Sequence, residues 1–383
     1  MTVAGAFLAM AVVFGATYSF GAFFDALSTE LGGSAAATAT VFSITTFTFL
    51  GLGAVTGPIA DRVGARPLVL AAAGLLGGGL WATAATPSVV VAYATFGAGV
   101  GLAAACGYIP PIAAVGRRVT ERQPIALGIA ISGIGVGTLT ATPLAAWLIE
   151  EVGWRSAFRW MGTVGALALV VAAVAIGPRA DVPPGGRRGA PSLRDPTLGR
   201  LFAANATFTV PLFVPFVFVP TLAVAEGVPP VAASLLVGLL GGGSILARLG
   251  SGPAIERLGS LRTFRACFAL HAAAYPLWWL AGGSYPLLVA FVLVLGIAYG
   301  GFVAVSASVA ADGFGSGRMG ATLGVLYGGA AFGSLIGPPL AGRLLDATGS
   351  RTLLVVALTG MATVAWVLLR RVPMDHTGRP GRA

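Results

Sequence analysis

Apolar residues run along this chain in long blocks, neither alternating nor confined to narrow stripes. A helix that crosses a bilayer needs roughly 20 mostly apolar residues. Breaks at Gly, Pro and clusters of charge divide the sequence into twelve such blocks. They fall at 3–27, 36–60, 67–86, 88–115, 124–149, 157–177, 199–225, 230–255, 263–282, 286–311, 319–345 and 351–371. The longest polar gap, 178–198, contains Pro183-Pro184-Gly185-Gly186-Arg187-Arg188-Gly189 and reads as a flexible linker. The pattern predicts an all-α membrane protein of twelve transmembrane helices: one six-helix bundle over 1–177, the linker over 178–198, and a second bundle with a short tail over 199–383. The block from Met1 to Phe24 exceeds a signal-peptide core and lacks a basic leader, so it is read as the first span.

Composition narrows this further. Hydrophobic residues make up 56% of the 383 positions and charged ones only 9%, where a soluble chain carries about 25%. The net charge of +10 would suggest a nucleic-acid partner in a soluble protein. Here it is the charge of basic loops beside a lipid bilayer, and no nucleic-acid partner is expected. Cys106 and Cys267 both lie in apolar blocks, and with only His271 and His376 there is no metal-ligand spacing. No nucleotide-binding loop or nucleophile–base constellation is present, so no cofactor and no enzymatic activity are expected.

The arginines orient the blocks. Eighteen of the 23 fall in loops on one side: Arg62, Arg66, Arg117, Arg118, Arg122, Arg179, Arg187, Arg188, Arg194, Arg200, Arg257, Arg262, Arg265, Arg318, Arg370, Arg371, Arg379 and Arg382. The other side has Arg155, Arg159, Arg343 and Arg351 beside acids such as Glu30, Glu150, Glu151 and Glu226. The positive-inside rule then puts both termini and the linker in the cytoplasm.

The two halves repeat at an offset of 195 residues. Gly57-Pro58-Ile59-Ala60-Asp61-Arg62-Val63-Gly64 returns as Gly252-Pro253-Ala254-Ile255-Glu256-Arg257-Leu258-Gly259, and Pro143 returns as Pro338. Two parallel six-helix repeats about an axis along the membrane normal describe the major facilitator fold, with its solute site between the halves near the midplane. The loop Gly57, Asp61, Arg62, Gly64, Arg66 resembles that superfamily's signature between its second and third helices. A gating role is expected for Asp61, Arg62, Arg66, Glu256 and Arg257. Asp61 is expected to face the positive N-terminal end of the eleventh helix near Met319; the competing reading is an ordinary topogenic basic loop.

One cation lies inside hydrocarbon. Arg248 sits in Gly241-Gly242-Gly243-Ser244-Ile245-Leu246-Ala247-Arg248, about 12 Å from the end of the eighth block. A charge there is costly and marks a functional partner by default; its guanidinium offers a planar fork to a carboxylate. The bland alternative is snorkelling to the interface or a structural pair with another helix. Ser244 is one turn away on the same face. Tyr108, Tyr299 and Tyr327 stand beside Gly or Pro in cavity-lining helices and complete the candidate substrate site, with Asn205 and Thr45 as weaker candidates. His271 is a further titratable group, more often a packed structural residue.

Several stretches resemble the monocarboxylate transporter family and its bacterial relatives: Tyr18-Ser19-Phe20-Gly21-Ala22-Phe23-Phe24, Tyr108-Ile109-Pro110-Pro111, Ala126 to Gly137, Gly153-Trp154-Arg155-Ser156-Ala157-Phe158 and Gly337-Pro338-Pro339-Leu340-Ala341-Gly342. The resemblance implies that Arg248 pairs with a substrate carboxylate. It also implies two departures. Where mammalian members carry an aspartate one turn before this arginine, the chain has Ser244, and where they carry a lysine in the first helix it has Ala22. Proton symport through those groups therefore does not carry over. The expected function is alternating-access transport of a small organic anion such as lactate, pyruvate or a short-chain or aromatic monocarboxylate in a bacterial plasma membrane, with proton symport through other groups left open. The alternative is a drug or other small-molecule exporter of the same superfamily. Oligomeric state is not legible.

Overall fold

The computed structural model describes residues 1–119, 123–178, 195–315 and 319–372. Within them every regular element is a helix: α1 (Thr2–Tyr18), α2 (Phe20–Leu31), α3 (Ala35–Val63), α4 (Ala65–Ala84), α5 (Val89–Ala92), a π-helix (Tyr93–Val100), α6 (Gly101–Arg118), α7 (Gln123–Ile176), α8 (Pro196–Leu212), α9 (Val214–Ala225), α10 (Pro230–Leu258), α11 (Ser260–Ala281), α12 (Tyr285–Phe314), α13 (Met319–Thr348) and α14 (Arg351–Arg370). Ten stretches are long and apolar enough to cross a membrane. Two facts account for the difference from the expected twelve. α7 is continuous through the loop expected between the fifth and sixth blocks, but Gly153, at φ 75° and ψ 157°, breaks its helical backbone. A side chain would resist that left-handed φ, so glycine sets the reversal. The second fact is that α11 carries Arg262 and Arg265 in its first turns and His271 at its middle, which lowers its apolarity.

The outer surface explains why so apolar a chain is stable. Val164, Leu167, Val171 and Val174 form an exposed stripe along α7, and Leu353, Val356 and Val364 another along α14. Spaced three, four or eight apart, they share one helix face. Such faces tolerate only hydrocarbon, and helices satisfy their backbone groups internally, as a bilayer requires.

The sequence repeat is a spatial repeat. α7 lies so close to α1 that a methyl at Gly133 or Gly137 would drive into the carbonyls of Phe7 and Ala11. α13 lies on α8 in the same way, with Gly329 and Gly333 against the carbonyls of Phe202 and Ala206. The backbone partners, Phe7 with Phe202 and Ala11 with Ala206, are each 195 residues apart. Small residues at these crossings let helices pack without the water-driven force that acts in soluble proteins.

Polar contacts sort the loops onto two ends. At the basic end Arg118 reaches Thr2 and the carbonyls of Ile176 and Pro178, and Arg265 donates to the carbonyls of Arg370 and Val372. At the far end Arg155 meets Glu30 and the Ala84 carbonyl, while Arg351 meets Glu226 and the Trp278 carbonyl. The linker expected at 178–198 lies mostly outside the described residues. α8 begins at Pro196, three residues before the expected boundary at 199, because Asp195 Oδ1 accepts from the Thr197 and Leu198 amides.

Three features were not expected from sequence. The first block breaks at Ser19, whose hydroxyl donates to the Gly15 carbonyl at 2.6 Å. The seventh breaks at Phe213, just before Pro215, whose missing N–H cannot continue the ladder. The fourth contains the π-turns at Tyr93–Val100. The first two breaks let α2 and α9 lean together across the midline, where Phe24 meets Phe218 edge-on at 5.1 Å, and Tyr18 at the end of α1 meets Phe216 at a tilt at 4.4 Å.

Candidate functional site

A narrow cavity of about 20 Å³ lies between the two sets of helices. The first set contributes Phe14, Phe49, Leu50, Tyr108 and Ile134. The second contributes Thr209, Leu212, Phe213, Tyr299, Phe302, Val303, Tyr327 and Ala330. The rings support one another: Phe14 meets Phe49 and Tyr108 edge-on at 5.3 and 5.2 Å, and Phe302 stacks on Phe208 at 4.6 Å. Tyr108, Tyr299 and Tyr327, selected from sequence, are therefore brought together on the cavity wall.

Arg248 is not itself a lining residue; it lies behind the wall, against Tyr299. Its residue is buried, at 7% exposure, and its guanidinium carbon lies 5.7 Å from the centre of the Tyr299 ring. Nη1 donates to the Ile131 carbonyl at 3.1 Å, one turn along α7 from the wall residue Ile134. The guanidinium also approaches the Tyr299 hydroxyl, but Nε and Nη2 have no partner at full hydrogen-bond geometry, and no carboxylate among the described residues pairs with the group. Snorkelling fully to the interface would not leave two buried, unpaired nitrogens. Nor does the structure hold the guanidinium in a structural ion pair.

Ser244 is placed elsewhere. Its hydroxyl donates to the Gly241 carbonyl at 2.7 Å, and its backbone packs directly on Gly300 of α12, away from the cavity lining. Thr45 likewise donates to its own helix, at Val41. Asn205 is buried behind the wall with both amide atoms unpaired. His271 lies under Phe208, ring centres 4.2 Å apart, with the Phe208 backbone as a neighbour but neither nitrogen at full hydrogen-bond geometry.

Sequence reasoning missed Tyr18. Its hydroxyl and that of Tyr299 are 2.9 Å apart, a hydrogen bond from α1 to α12 across the midline. Its signal was present in Tyr18-Ser19-Phe20, but the break that turns Tyr18 inward is a local backbone event. The apolar lining, including Phe14 and Phe49, was also missed, because in a chain this hydrophobic a cavity wall and a packed core have the same composition.

The proposed gate residues lie at the basic end. The contact expected between Asp61 and the start of α13 falls beside residues 316–318, outside the described residues. The Asp61 carboxylate accepts from Arg117 Nη1 at 2.6 Å, within the first set of helices. Arg66, Glu256 and Arg257 are exposed, and Arg62 keeps a partner. The repeat is imperfect here, since the position equivalent to Arg117 is Asp312, which accepts from Ser260 at 2.6 Å. The far end is closed by another device. Asp346 at the end of α13 accepts the Ala35 and Ala36 amides at 2.9 and 3.0 Å, capping α3 from the opposite set of helices.

A multi-pass bundle with an internal two-fold repeat, sealed at one end around a central chamber, has the architecture of a membrane transport protein. Comparison with known proteins agrees. The profile described as Major Facilitator Superfamily matches residues 6–252 and 201–383. A crystal structure of the nucleoside transporter NupG superposes with a TM-score of 0.76 over 97% of this chain and 98% of that one, at 14% identity, which establishes the fold alone. Monocarboxylate transporter 3 of Rattus norvegicus is 31% identical over 88% of this chain and 72% of its own length. Monocarboxylate transporter 4 of the same species is 29% identical over 88% and 76%, and monocarboxylate transporter 13 of Bos taurus 28% over 92% and 84%. The chain belongs to the major facilitator superfamily and, within it, to the family of the monocarboxylate transporters. It is a multi-pass membrane transport protein and not an enzyme.

Proposed function

We propose that this protein carries a small organic monoanion across a membrane by alternating access, with Arg248 as the group that binds the cargo carboxylate. The observation that carries the reading is the guanidinium itself, buried behind the chamber-lining ring of Tyr299 with Nε and Nη2 unpaired. A desolvated cation is costly unless a counter-charge arrives, and two free N–H directions suit the two oxygens of a carboxylate. The names of the relatives point to the same cargo chemistry. Tyr108 and Tyr327 supply a hydroxyl pair to the wall, and Tyr299 supplies a ring face to the cation.

The surrounding reading is twelve spans, obtained by splitting α7 at Gly153 and adding α11 to the ten apolar stretches. They form one bundle over 1–177 and one over 199–383, with both termini on the cytoplasmic face of a bacterial plasma membrane. Asp61, Arg62 and Arg66, with Glu256 and Arg257, act in the gate at that face. Ser244 supplies no titratable partner, so any proton coupling runs through another group. A lipophilic cation, the cargo of the alternative exporter reading, would meet the like charge of Arg248.

Uptake of radiolabelled benzoate, pyruvate and lactate into proteoliposomes, with and without a pH gradient, tests the proposal. Arg248→Ala is expected to abolish uptake in protein that remains monodisperse; full uptake by that variant would overturn the assignment.

A further inference from the structure

We infer that the preferred cargo is a monocarboxylate with an apolar tail of aryl size and no hydroxyl group, rather than a small hydroxy acid. The inference rests on the carboxylate reading of Arg248 and extends it to the other end of the molecule. Of the thirteen residues lining the chamber, seven are aromatic, five are aliphatic and one is Thr209. That one small hydroxyl is committed, since Thr209 Oγ1 donates to the Asn205 and Ala330 carbonyls, each at 3.0 Å. The Tyr299 hydroxyl is engaged with Tyr18 at 2.9 Å. What stays available is the Nε and Nη2 of Arg248, which one carboxylate can occupy, since the hydroxyls of Tyr108 and Tyr327 hydrogen-bond each other.

Beyond those groups the wall is hydrocarbon. A 2-hydroxyl on the cargo would lie against it unpaired, which costs about tenfold or more in affinity. A phenyl tail meets the opposite condition. Phe14 and Phe49 from one set of helices and Phe213 and Phe302 from the other present faces and edges on two sides of the space, and ring pairs favour offset or edge-on contact. In this conformation the enclosed space is only about 20 Å³, so the rings must part as the tail enters.

The test is titration calorimetry on the purified full-length chain in detergent with phenylacetate, hexanoate and L-lactate, repeated with Arg248→Ala and Phe49→Leu. Phenylacetate is expected to bind at least about tenfold more tightly than L-lactate, with hexanoate between them. Phe49→Leu is expected to weaken phenylacetate by about two- to tenfold while leaving hexanoate nearly unchanged. L-lactate binding as tightly as phenylacetate overturns the inference. If both acids then lose binding in Arg248→Ala, the carboxylate reading survives that failure. If none of the three acids binds the folded wild-type chain, the carboxylate reading fails and the inference with it. An equal loss of phenylacetate and hexanoate in Phe49→Leu overturns the aryl preference.

Discussion

Arg248 spends one nitrogen on the Ile131 carbonyl and keeps two free. The bond to Ile131 fixes the plane of the fork, so the remaining N–H groups are aimed before a ligand arrives, which lowers the cost of binding. Charge and geometry are separable at this position. Arg248→Lys keeps the cation but replaces a planar fork with a point charge on a flexible stem. Expected is a monoanion Kd raised by about tenfold or more with measurable transport retained, read by titration and by uptake. An unchanged Kd would mean that charge alone recruits the anion.

Among the elements, the repeat supplies an internal control. α11 and α4 occupy equivalent places, so His271 and Tyr275 correspond to Leu76 and Leu80, and on the first helices of the halves Asn205 corresponds to Met10. All six are buried. One half fills this interior with hydrocarbon; the other fills it with His271, the Tyr275 hydroxyl and the Asn205 amide, none of them with a partner at full hydrogen-bond geometry. A buried polar group without a partner costs about 1–3 kcal/mol. His271→Leu is therefore expected to raise stability by about that amount, seen as a higher midpoint of thermal unfolding in detergent. A drop in the midpoint would show that the imidazole has a partner, such as an ordered water.

This comparison also marks what could be read without coordinates. Block lengths, the side on which the arginines fall and the Gly57 to Gly259 repeat expose helices, ends and internal symmetry, because hydrophobicity, charge and small residues act locally. The tyrosines were legible through the company they keep with Gly and Pro. The breaks at Ser19 and Phe213, the π-turns of Tyr93–Val100 and the Tyr18–Tyr299 bond were not, since each depends on which helices meet. Asp61 went to Arg117, 56 positions away, because the third and sixth elements happen to end side by side.

At the scale of the molecule, the seal at the far end is lopsided. Asp346 holds two amides of α3 from the opposing half. Its counterpart by the repeat is Glu151, and the counterpart of Ala35 is Pro230, which has no N–H to offer. One seam is thus bolted by a carboxylate on a helix start, an interaction of about 0.3–1 kcal/mol plus its hydrogen bonds, and the other is held by packing of α7 on α10. Asp346→Ala is expected to raise the population of a far-end-open form by about fivefold. Spin labels at Val90 and Ser284 would report it as growth of a longer distance; an unaltered distribution would assign the seal to the aromatic contacts of Tyr18, Phe216, Phe24 and Phe218.

The missing acid beside Arg248 has a consequence for the working cycle. Rocking the protein without cargo would carry a bare guanidinium through a closed, dry interior, whereas a loaded passage moves a neutralised pair. On the proposed carboxylate role of Arg248, the unladen return stroke is expected to be the slow one. A membrane holding this protein is then expected to trade anion for anion across its two faces far faster than it fills or empties either compartment, which a comparison of exchange with net flux would check.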